Sequence, residues 1–564
     1  MLIRHEIARL VADAAARAQE EGDLPPLALP EVTVEHPARE EHGDYAASLS
    51  LKLGRAARSD PLAIAEAIAK HIRTSDVIAE VAVAPPGFIN FRLSDAWLAR
   101  QVDAILAQGE RFGDVPLGEG QRLQLEFVSA NPVGPLHVGN GRGLAIGDTL
   151  ASVLAAAGYA VEREYLVNDA GTQTEIFAST LYARYQQLFG REVAIPEGGY
   201  PGRYVAELAE ELKAEHGEAF LRPPGEPWPR ELHDVGVARM LAVIRSDLAA
   251  MGVDYDVWFS ERSLYAAGGP YERAMELLRE KGVVAEKEGA VWFTSSALGE
   301  DKDNVLVRST GSPTYFASDI AYHYDKFVLR GFQRVVNVWG ADHQGHVPRM
   351  QAAVAALGVD PERLDIIIYQ LVTLRRGSEI VRLSKRTGEI ITLRELVEEV
   401  GADACRFFFL ARSADSHMDF DLELAKRQSA ENPVYYVQYA HARIAGILTH
   451  ASEQGLDYAP AGGGSASGGD GDLALLTHPA ELALIRRMLL LPEVVEGVAR
   501  TLEPHHLPHY ALELATAFHD FYEKCRVVSD DLSLSKARLK LVAACRNALA
   551  RTLGLMGVSA PERM

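Results

Sequence analysis

The residues best suited to chemistry lie close together in one stretch, Gln121 to Tyr159, which reads QRLQLEFVSANPVGPLHVGNGRGLAIGDTLASVLAAAGY. Leu123 to Val128 is apolar and rich in strand formers, as a buried strand would be. A loop with Pro132, Gly134 and Pro135 follows, then His137-Val138-Gly139-Asn140-Gly141-Arg142-Gly143. A helical run is expected from about Leu144, with Ile146, Leu150, Val153 and Leu154 on one face and Gly158 as its stop. Strand, glycine-rich turn and helix suit an anion. Glycine lets the backbone approach a ligand, and a helix start offers unpaired N–H groups. The glycines alone would fit a generic phosphate loop or a tight turn, and a lone histidine is more often structural than catalytic. Glu126 and Asn131, with His137 and its glycines, make a functional site the stronger reading.

The pattern His-x-Gly-(His/Asn) before a helix resembles the ATP signature of class I aminoacyl-tRNA synthetases. The wider string EFVSANPVGPLHVGN resembles arginyl-tRNA synthetases. The resemblance implies that His137 and Asn140 donate hydrogen bonds to a nucleotide as its α-phosphate is attacked, with Gly139 against the ATP. The family usually carries a second histidine where Asn140 stands. Asparagine keeps an N–H donor without a charge, so less pH sensitivity is expected there.

Other strings extend the resemblance. Arg375 to Gly388 (RRGSEIVRLSKRTG) resembles the family's second signature in altered form. Lys385 matches its second lysine, Arg382 stands where the first would be, and Ser384 is placed with the ATP. Mobile cations suit a leaving pyrophosphate, whose charge develops only during the reaction. Gly340, Asp342 and His346 in the GADHQGH string resemble contacts to the ATP ribose and adenine. For the arginine substrate the resemblance points to Glu126, Asn131, Tyr315, Asp319 and, more loosely, His343. A guanidinium group is planar and fork-shaped, and selecting it over lysine calls for carboxylates placed for paired hydrogen bonds. Glu126 and Asn131 could instead hold the substrate's α-amino group, leaving Asp319 for the guanidinium; sequence leaves this open. It also leaves Asp319 open as a helix cap. Tyr435, Tyr439 and Arg443, in a string with Asn432 as cap and Pro433 at the first helical position, could stack on unpaired bases or serve as core tyrosines with a polar rim.

The elements that must position these residues follow from the chain in order. Residues 1–115 read as an α/β module resembling the N-terminal domain of this family, which there touches tRNA. A helix is expected over Met1 to Glu20, with short strands at Thr33 to Glu35 and Val81 to Val83. A further helix starts at Ser59-Asp60-Pro61. Residues 116–400 read as a Rossmann-like, doubly wound parallel sheet, because strands alternate with helices across the glycine-rich turn. Its halves lie at about 118–175 and 300–375. A mostly helical insertion at about 176–300 separates them, and the signature loop 375–388 follows. The second half is expected to restart at Val305 to Arg308 and to continue through strands Val335–Trp339 and Ile366–Val372. Asn168-Asp169-Ala170-Gly171 is either a ligand-facing strand end or an Asx turn. Trp228 and Trp258 read as packing residues. Residues 401–564 read as an all-α bundle. Its string GADACR resembles the family's C-terminal domain, and 459–472 reads as a flexible surface loop.

Composition bounds the rest. The chain has 564 residues, ample for several packed domains, and a formal net charge of -21, so basic patches for RNA must be local. Cys405, Cys525 and Cys545 are widely spaced, which argues against a disulfide framework or a cysteine zinc site and fits a reducing cytoplasm. Charges at Arg4, Glu6 and Arg9 argue against a signal-peptide core, and no uncharged run reaches membrane-spanning length. The resemblance implies ATP, L-arginine and tRNA(Arg) as substrates, Mg2+ accompanying the ATP, no zinc, and arginine activation that requires bound tRNA. A monomer with no obligate protein partner is expected. The competing readings are another adenylyl-transferring enzyme on the same nucleotide fold and a non-catalytic RNA-binding relative.

Overall fold

The computed structural model describes residues 2–73, 75–298, 302–381, 391–456 and 472–564. Arg382, Ser384 and Lys385, and nearly all of the low-complexity stretch 459–472, lie outside the described residues.

The N-terminal region opens with helix α1 (Ile3–Glu20), strands β1 (Val34–Glu35) and β2 (Tyr45–Ala47), and helices α2 (Leu49–Ala57) and α3 (Pro61–Lys70). Strands β3 (Ile78–Ala84) and β4 (Phe88–Leu93) and helix α4 (Asp95–Gln108) complete it. Asp60 caps α3 through the Leu62 N–H, with Pro61 at the first position, as the Ser-Asp-Pro string predicts. The strands form an antiparallel sheet in the order β1-β2-β4-β3.

The central sheet is parallel. Strand β5 (Arg122–Phe127) leads into helix α5 (Val138–Ala156) and strand β6 (Ala160–Val167). Helices α6 (Thr172–Gln187), α7 (Arg203–His216) and α8 (Arg230–Ala250) follow, then strand β7 (Val257–Ser260) and helix α9 (Pro270–Glu280). Strands β8 (Val284–Lys287), β9 (Ala290–Phe293) and β10 (Asn304–Val307) precede helix α10 (Tyr315–Tyr324). Strand β11 (Arg334–Gly340), helix α11 (Val347–Ala356) and strand β12 (Leu364–Tyr369) come next. The sheet order is β12-β11-β5-β6-β7, every pair parallel. The chain winds outward one way through β6 and β7 and the other way through β11 and β12. The crevice where strand order reverses therefore opens between β5 and β11, the usual ligand position in such sheets.

Three sequence expectations need correction. Val305–Arg308 does not restart the parallel sheet: β10 joins an antiparallel sheet in the order β10-β9-β8, because the preceding hairpin offers it a free edge. The parallel sheet gains its fifth strand, β7, from the insertion expected to be mostly helical. The Ile366–Val372 strand breaks after Tyr369, where the Gln370 N–H bonds to the Ala414 carbonyl. Beyond the break, strand β13 (Val372–Arg376) belongs to a separate sheet with β14 (Glu379–Val381) and β15 (Met418–Asp421).

The remainder is helical around β15. Helices α12 (Leu393–Val400) and α13 (Ala402–Leu410) precede that strand. After it come α14 (Leu422–Lys426), α15 (Pro433–Glu453), α16 (Pro479–Met488), α17 (Leu491–Thr501), α18 (His506–Lys524) and α19 (Leu532–Leu555). All three cysteines are buried free thiols. One apolar core runs from Ile7 through the α5 side of the central sheet to Val558, so the regions pack as a continuous body. Arg406, fully buried, stitches this body together: it donates to the Met251 and Met556 carbonyls and to Asp148 on α5.

Candidate active site

Glu126 is the penultimate residue of β5, and the chain turns sharply just after Phe127. Val128 and Ser129 both adopt positive φ, 68° and 40°, an unfavourable conformation for a β-branched residue. The turn brings the Ser129 hydroxyl back to Glu126 Oε1 at 2.9 Å, and the Ser129 carbonyl accepts from Asn168 Nδ2 at 2.9 Å. Asn131, two residues on, is exposed at the mouth.

Helix α10 supplies the opposite wall. It starts earlier than the Ser318 expected from sequence, because Thr314 caps it: the Thr314 hydroxyl donates to the Val305 carbonyl at 2.8 Å and accepts from the Ala317 N–H. Asp319 is therefore a second-turn residue and not the cap. Tyr315 stands 55% exposed at the helix start, and its ring would lie 3.7 Å from a Cβ added at Gly171. Burial pushes the Asp319 carboxyl up to about 7, and the negative charges of Glu126 and Glu261 add to that rise, opposed by Arg349 and Lys326.

Glu261 was not anticipated from the sequence. It lies in the 3-10 turn after β7, is 95% buried, and its Oε2 atom has no hydrogen-bond partner among the described residues. Burial raises its carboxyl to about 7 as well, partly offset by a hydrogen bond from Ser318 on α10. Asp169, which sequence left open as a ligand group or a capping turn, does not cap α6, whose N-terminus has no side-chain cap. It accepts from Ser260 Oγ at 2.6 Å and from the Arg262 N–H at 3.0 Å, and so pins the residues on both sides of Glu261. Carboxylates from three elements thus face one crevice, where the charges of Glu126 and Glu261 oppose ionisation of Asp319.

The nucleotide side is built around the start of α5. The helix begins at Val138, six residues before the expected Leu144. Asn140 explains the difference: its Oδ1 accepts from the His137 backbone N–H at 3.0 Å, and this cap offsets the poor helix propensity of the glycines. The glycines themselves serve packing more than ligand approach. A Cβ at Gly147 would come within 2.3 Å of the Phe127 side chain, and one at Gly143 within 2.6 Å of the Tyr369 ring. The exposed His137 imidazole is held below its ordinary pKa by desolvation from its surroundings, against the pull of the Asp342 carboxylate from beyond β11. Gly340, Asp342 and His346 follow at that strand end, with His346 also held low by burial and nearby Arg349. His343 pairs with Asp342 at 3.4 Å and packs on Trp339 and His346. These contacts tie His343 to the strand end that carries Asp342 and His346. The strand carrying the second signature leaves at Val381, and the chain is described again from Ile391. The Ile391 carbonyl accepts from the Val138 N–H at 3.3 Å, and Thr392 bridges to His137.

A second candidate surface lies on α15, capped by Asn432 as expected. Tyr435, Tyr436, Tyr439, Arg443, His519 and Tyr522 line a cavity of about 610 Å³. The Tyr435 and Tyr439 rings are nearly parallel, 8° apart at 6.3 Å, and the Arg443 guanidinium lies 4.3 Å from the Tyr522 ring centre and donates to the Tyr439 hydroxyl at 2.6 Å. These faces leave room for a flat, π-rich partner.

Comparison with known proteins decides the family. The chain matches the family models of the arginyl-tRNA synthetase N-terminal domain over residues 3–93, the class I (R) tRNA synthetase catalytic domain over 101–408, and the DALR anticodon-binding domain over 437–564. It is 55% identical over 564 residues to an arginine–tRNA ligase of Dehalococcoides mccartyi, covering 100% of this chain and 99% of that protein. It is 51% identical over 567 residues to one of Heliobacterium modesticaldum, again covering 100% and 99%. The chain belongs to the arginyl-tRNA synthetase family. The fold agrees: the arginyl-tRNA synthetase of Thermus thermophilus superposes with a TM-score of 0.77 at 24% identity, over 100% of both chains. The protein is thus a class I aminoacyl-tRNA ligase, whose standard reaction forms an aminoacyl-adenylate from ATP and then transfers the amino acid to tRNA. Among the described residues, no helix is long and apolar enough to cross a membrane.

With the arginyl-tRNA synthetase family established, the missed residue has a simple explanation. Glu261 reaches the site only because β7 joins the parallel sheet, and the run Val257–Ser260 is too short and too weakly patterned to announce a sheet strand. The one advance signal was Asp169, a polar residue at the end of β6 with no partner legible in sequence.

Proposed function

We propose that this chain charges tRNA(Arg) with L-arginine and that Glu126, Asn131, Asp319 and Glu261 select the amino acid. The observation that carries the reading is the convergence of Glu126, Asp319 and Glu261. Burial, with the negative charges of Glu126 and Glu261 adding to it, raises the Asp319 carboxyl to about 7 in a cleft that calls for a cation. Glu126 and Asn131 stand on the segment that leads to His137, so they hold the α-amino end of the substrate, whose carboxylate must reach the nucleotide. Asp319 and Glu261, linked through Ser318, hold the guanidinium, and the exposed Tyr315 covers its stem.

In this reading the substrate carboxylate attacks the α-phosphate of ATP, and the ribose hydroxyl of the terminal tRNA adenosine then attacks the adenylate. His137 and Asn140 bind the phosphates, and Gly139, Gly340, Asp342 and His346 bind the nucleoside. The segment carrying Arg382, Ser384 and Lys385 meets the leaving pyrophosphate. No covalent enzyme intermediate is needed; positioning and charge stabilisation carry both steps. Mg2+ enters with the ATP phosphates, as is usual for this hard, reluctantly dehydrated ion. Among the described residues, no cluster of three or more His, Cys, Asp or Glu side chains is arranged to hold a metal. The division into 1–115, 116–400 and 401–564, with the last binding the tRNA through Tyr435, Tyr439 and Arg443, completes the reading, together with a monomeric state and a cytoplasmic location.

The test is charging of total tRNA with each of the twenty amino acids. Arginine alone is expected to be accepted, and Asp319→Asn is expected to raise the KM for arginine far more than that for ATP. Charging with another amino acid, or equal effects on both substrates, would refute the assignment.

A further inference from the structure

Beneath the arginine pocket lies a buried cation that recognition of the substrate does not itself require. Helix α10 ends in a π-helical turn, Asp325–Leu329, a rare local geometry that often accompanies functional sites. The turn carries Lys326, which is fully excluded from solvent. Its Nζ donates to Glu126 Oε2 at 2.6 Å and to Asn337 Oδ1 at 3.0 Å, and lies 4.1 Å from the centre of the Tyr322 ring. With Asn337 Oδ1 accepting from Lys326, the Asn337 amide donates to His323 Nε2 at 2.9 Å. That places the His323 proton on Nδ1, which donates to the Asp319 carbonyl at 2.7 Å. Burial and the adjacent Lys326 push His323 down to about 3, so it is a neutral link. One unbroken chain thus runs from Glu126 through Lys326, Asn337 and His323 to the backbone of Asp319.

Packing alone does not call for this arrangement. A buried ion pair rarely repays its desolvation, and apolar residues of similar volume would stabilise the fold as well. The register explains the location: Asn337 on β11 and Glu164 on β6 flank Glu126 directly. Glu164 is engaged by Arg330 and by the Tyr322 hydroxyl. The other groups around Glu126 are Ser129 on its own loop, Asp319 and Tyr322 on α10, and Tyr255 ahead of β7. Lys326 is the cation bonded to Glu126, and it also acts against the elevation of Asp319.

We propose that Lys326 is a positioning residue for arginine recognition: it aims the Glu126 carboxylate, offsets the like charges of the pocket, and through Asn337 and His323 sets the spacing between the two ends of the substrate. The proposal rests on the pocket reading above and adds to it a residue that never touches arginine.

Lys326→Met keeps the length and much of the volume without the charge. The expected result is a rise of about tenfold in the KM for arginine near pH 7, with the KM for ATP unchanged. The acid limb of kcat/KM for arginine should also move up by about one pH unit, because Asp319 loses a cation that favours its ionised form. A purely structural lysine would lower the melting temperature and leave the limb in place, and that result would overturn the proposal while the pocket reading stood. Should Lys326→Met fail to fold, the double variant Glu126→Gln/Lys326→Met, which lacks the unpaired buried charge, carries the test by comparison with Glu126→Gln. If Lys326 acts through Glu126, adding Lys326→Met to Glu126→Gln raises the KM for arginine little further. Full additivity overturns the proposal. A wild-type enzyme that does not charge tRNA with arginine would instead refute the pocket reading itself.

Discussion

Replacing Asp319 with asparagine should stabilise the enzyme while disabling it. The carboxyl titrates at about 7 in the folded protein against 3.8 as its ordinary value. Between those two pH values the folded state holds a proton that the unfolded state has lost, so ionising Asp319 costs folding free energy as pH rises. Each unit of difference corresponds to about 1.4 kcal/mol, so the full interval amounts to roughly 4 kcal/mol as an upper bound. Partial solvent access and coupling to Glu126 and Glu261 reduce this to about 2 kcal/mol. The penalty is absent below pH 4, grows as pH rises, and is complete above pH 7.

The assay is thermal unfolding of wild type and Asp319→Asn at pH 5 and pH 8.5, without ligand and with saturating arginine. At pH 8.5 the variant should melt a few degrees higher. The gap should shrink at pH 5, where wild-type Asp319 is largely protonated. Arginine should raise the melting temperature of the wild type and leave that of the variant nearly unchanged, since the guanidinium supplies the missing countercharge only where a carboxylate awaits it. A variant destabilised equally at both pH values would show that Asp319 is a structural group and that the repulsion among the three carboxylates is not what shapes this cleft.

Other expected outcomes follow from the same geometry. The kcat/KM for arginine should fall steeply below about pH 7, because Asp319 and Glu261 both titrate there and must be ionised to bind, whereas kcat/KM for ATP should fall less; matching profiles would sink the assignment. Gly147→Ala should cost on the order of 1–3 kcal/mol in denaturant unfolding, because the added methyl would meet the Phe127 side chain at 2.3 Å; a neutral result would mean that α5 shifts freely on the sheet. Arg443→Ala and Tyr439→Ala should each raise the KM for tRNA about tenfold with kcat little changed; intact tRNA kinetics would remove α15 from the RNA surface. Arginine-dependent exchange of pyrophosphate into ATP should require tRNA, and full exchange without it would refute that dependence.

What the sequence made legible was governed by local signals. Strands β5, β6 and β11 and the caps of α3 and α15 depend on periodicity or a single side chain, and the structure has them where those signals lie. The start of α5 was misplaced because glycine propensity argues against a helix, whereas the Asn140 cap and packing against Phe127 and Tyr369 override it. The four-residue strand β10 was misassigned because its alternation says nothing about which sheet edge it will meet.

The site itself divides along the same line. Glu126 and Asp319 were visible because each sits in a distinctive string. Glu261 and Lys326 were not, since each becomes meaningful only through a partner far away in the chain. Lys326 meets Glu126 from 200 positions distant. Its lysine would read from sequence as an exposed charge at a helix end, yet it is fully buried. Gathering three carboxylates around one small volume costs stability, and the fold meets that cost with bonds between distant segments: Lys326 to Glu126, and Asp169 to the turn carrying Glu261. The residues proposed to touch the substrate are thus the easier ones to find in a chain, because their chemistry is their own. The residues that hold them belong to the three-dimensional arrangement, and loss of a single buried lysine would disturb a pocket whose visible members are all intact.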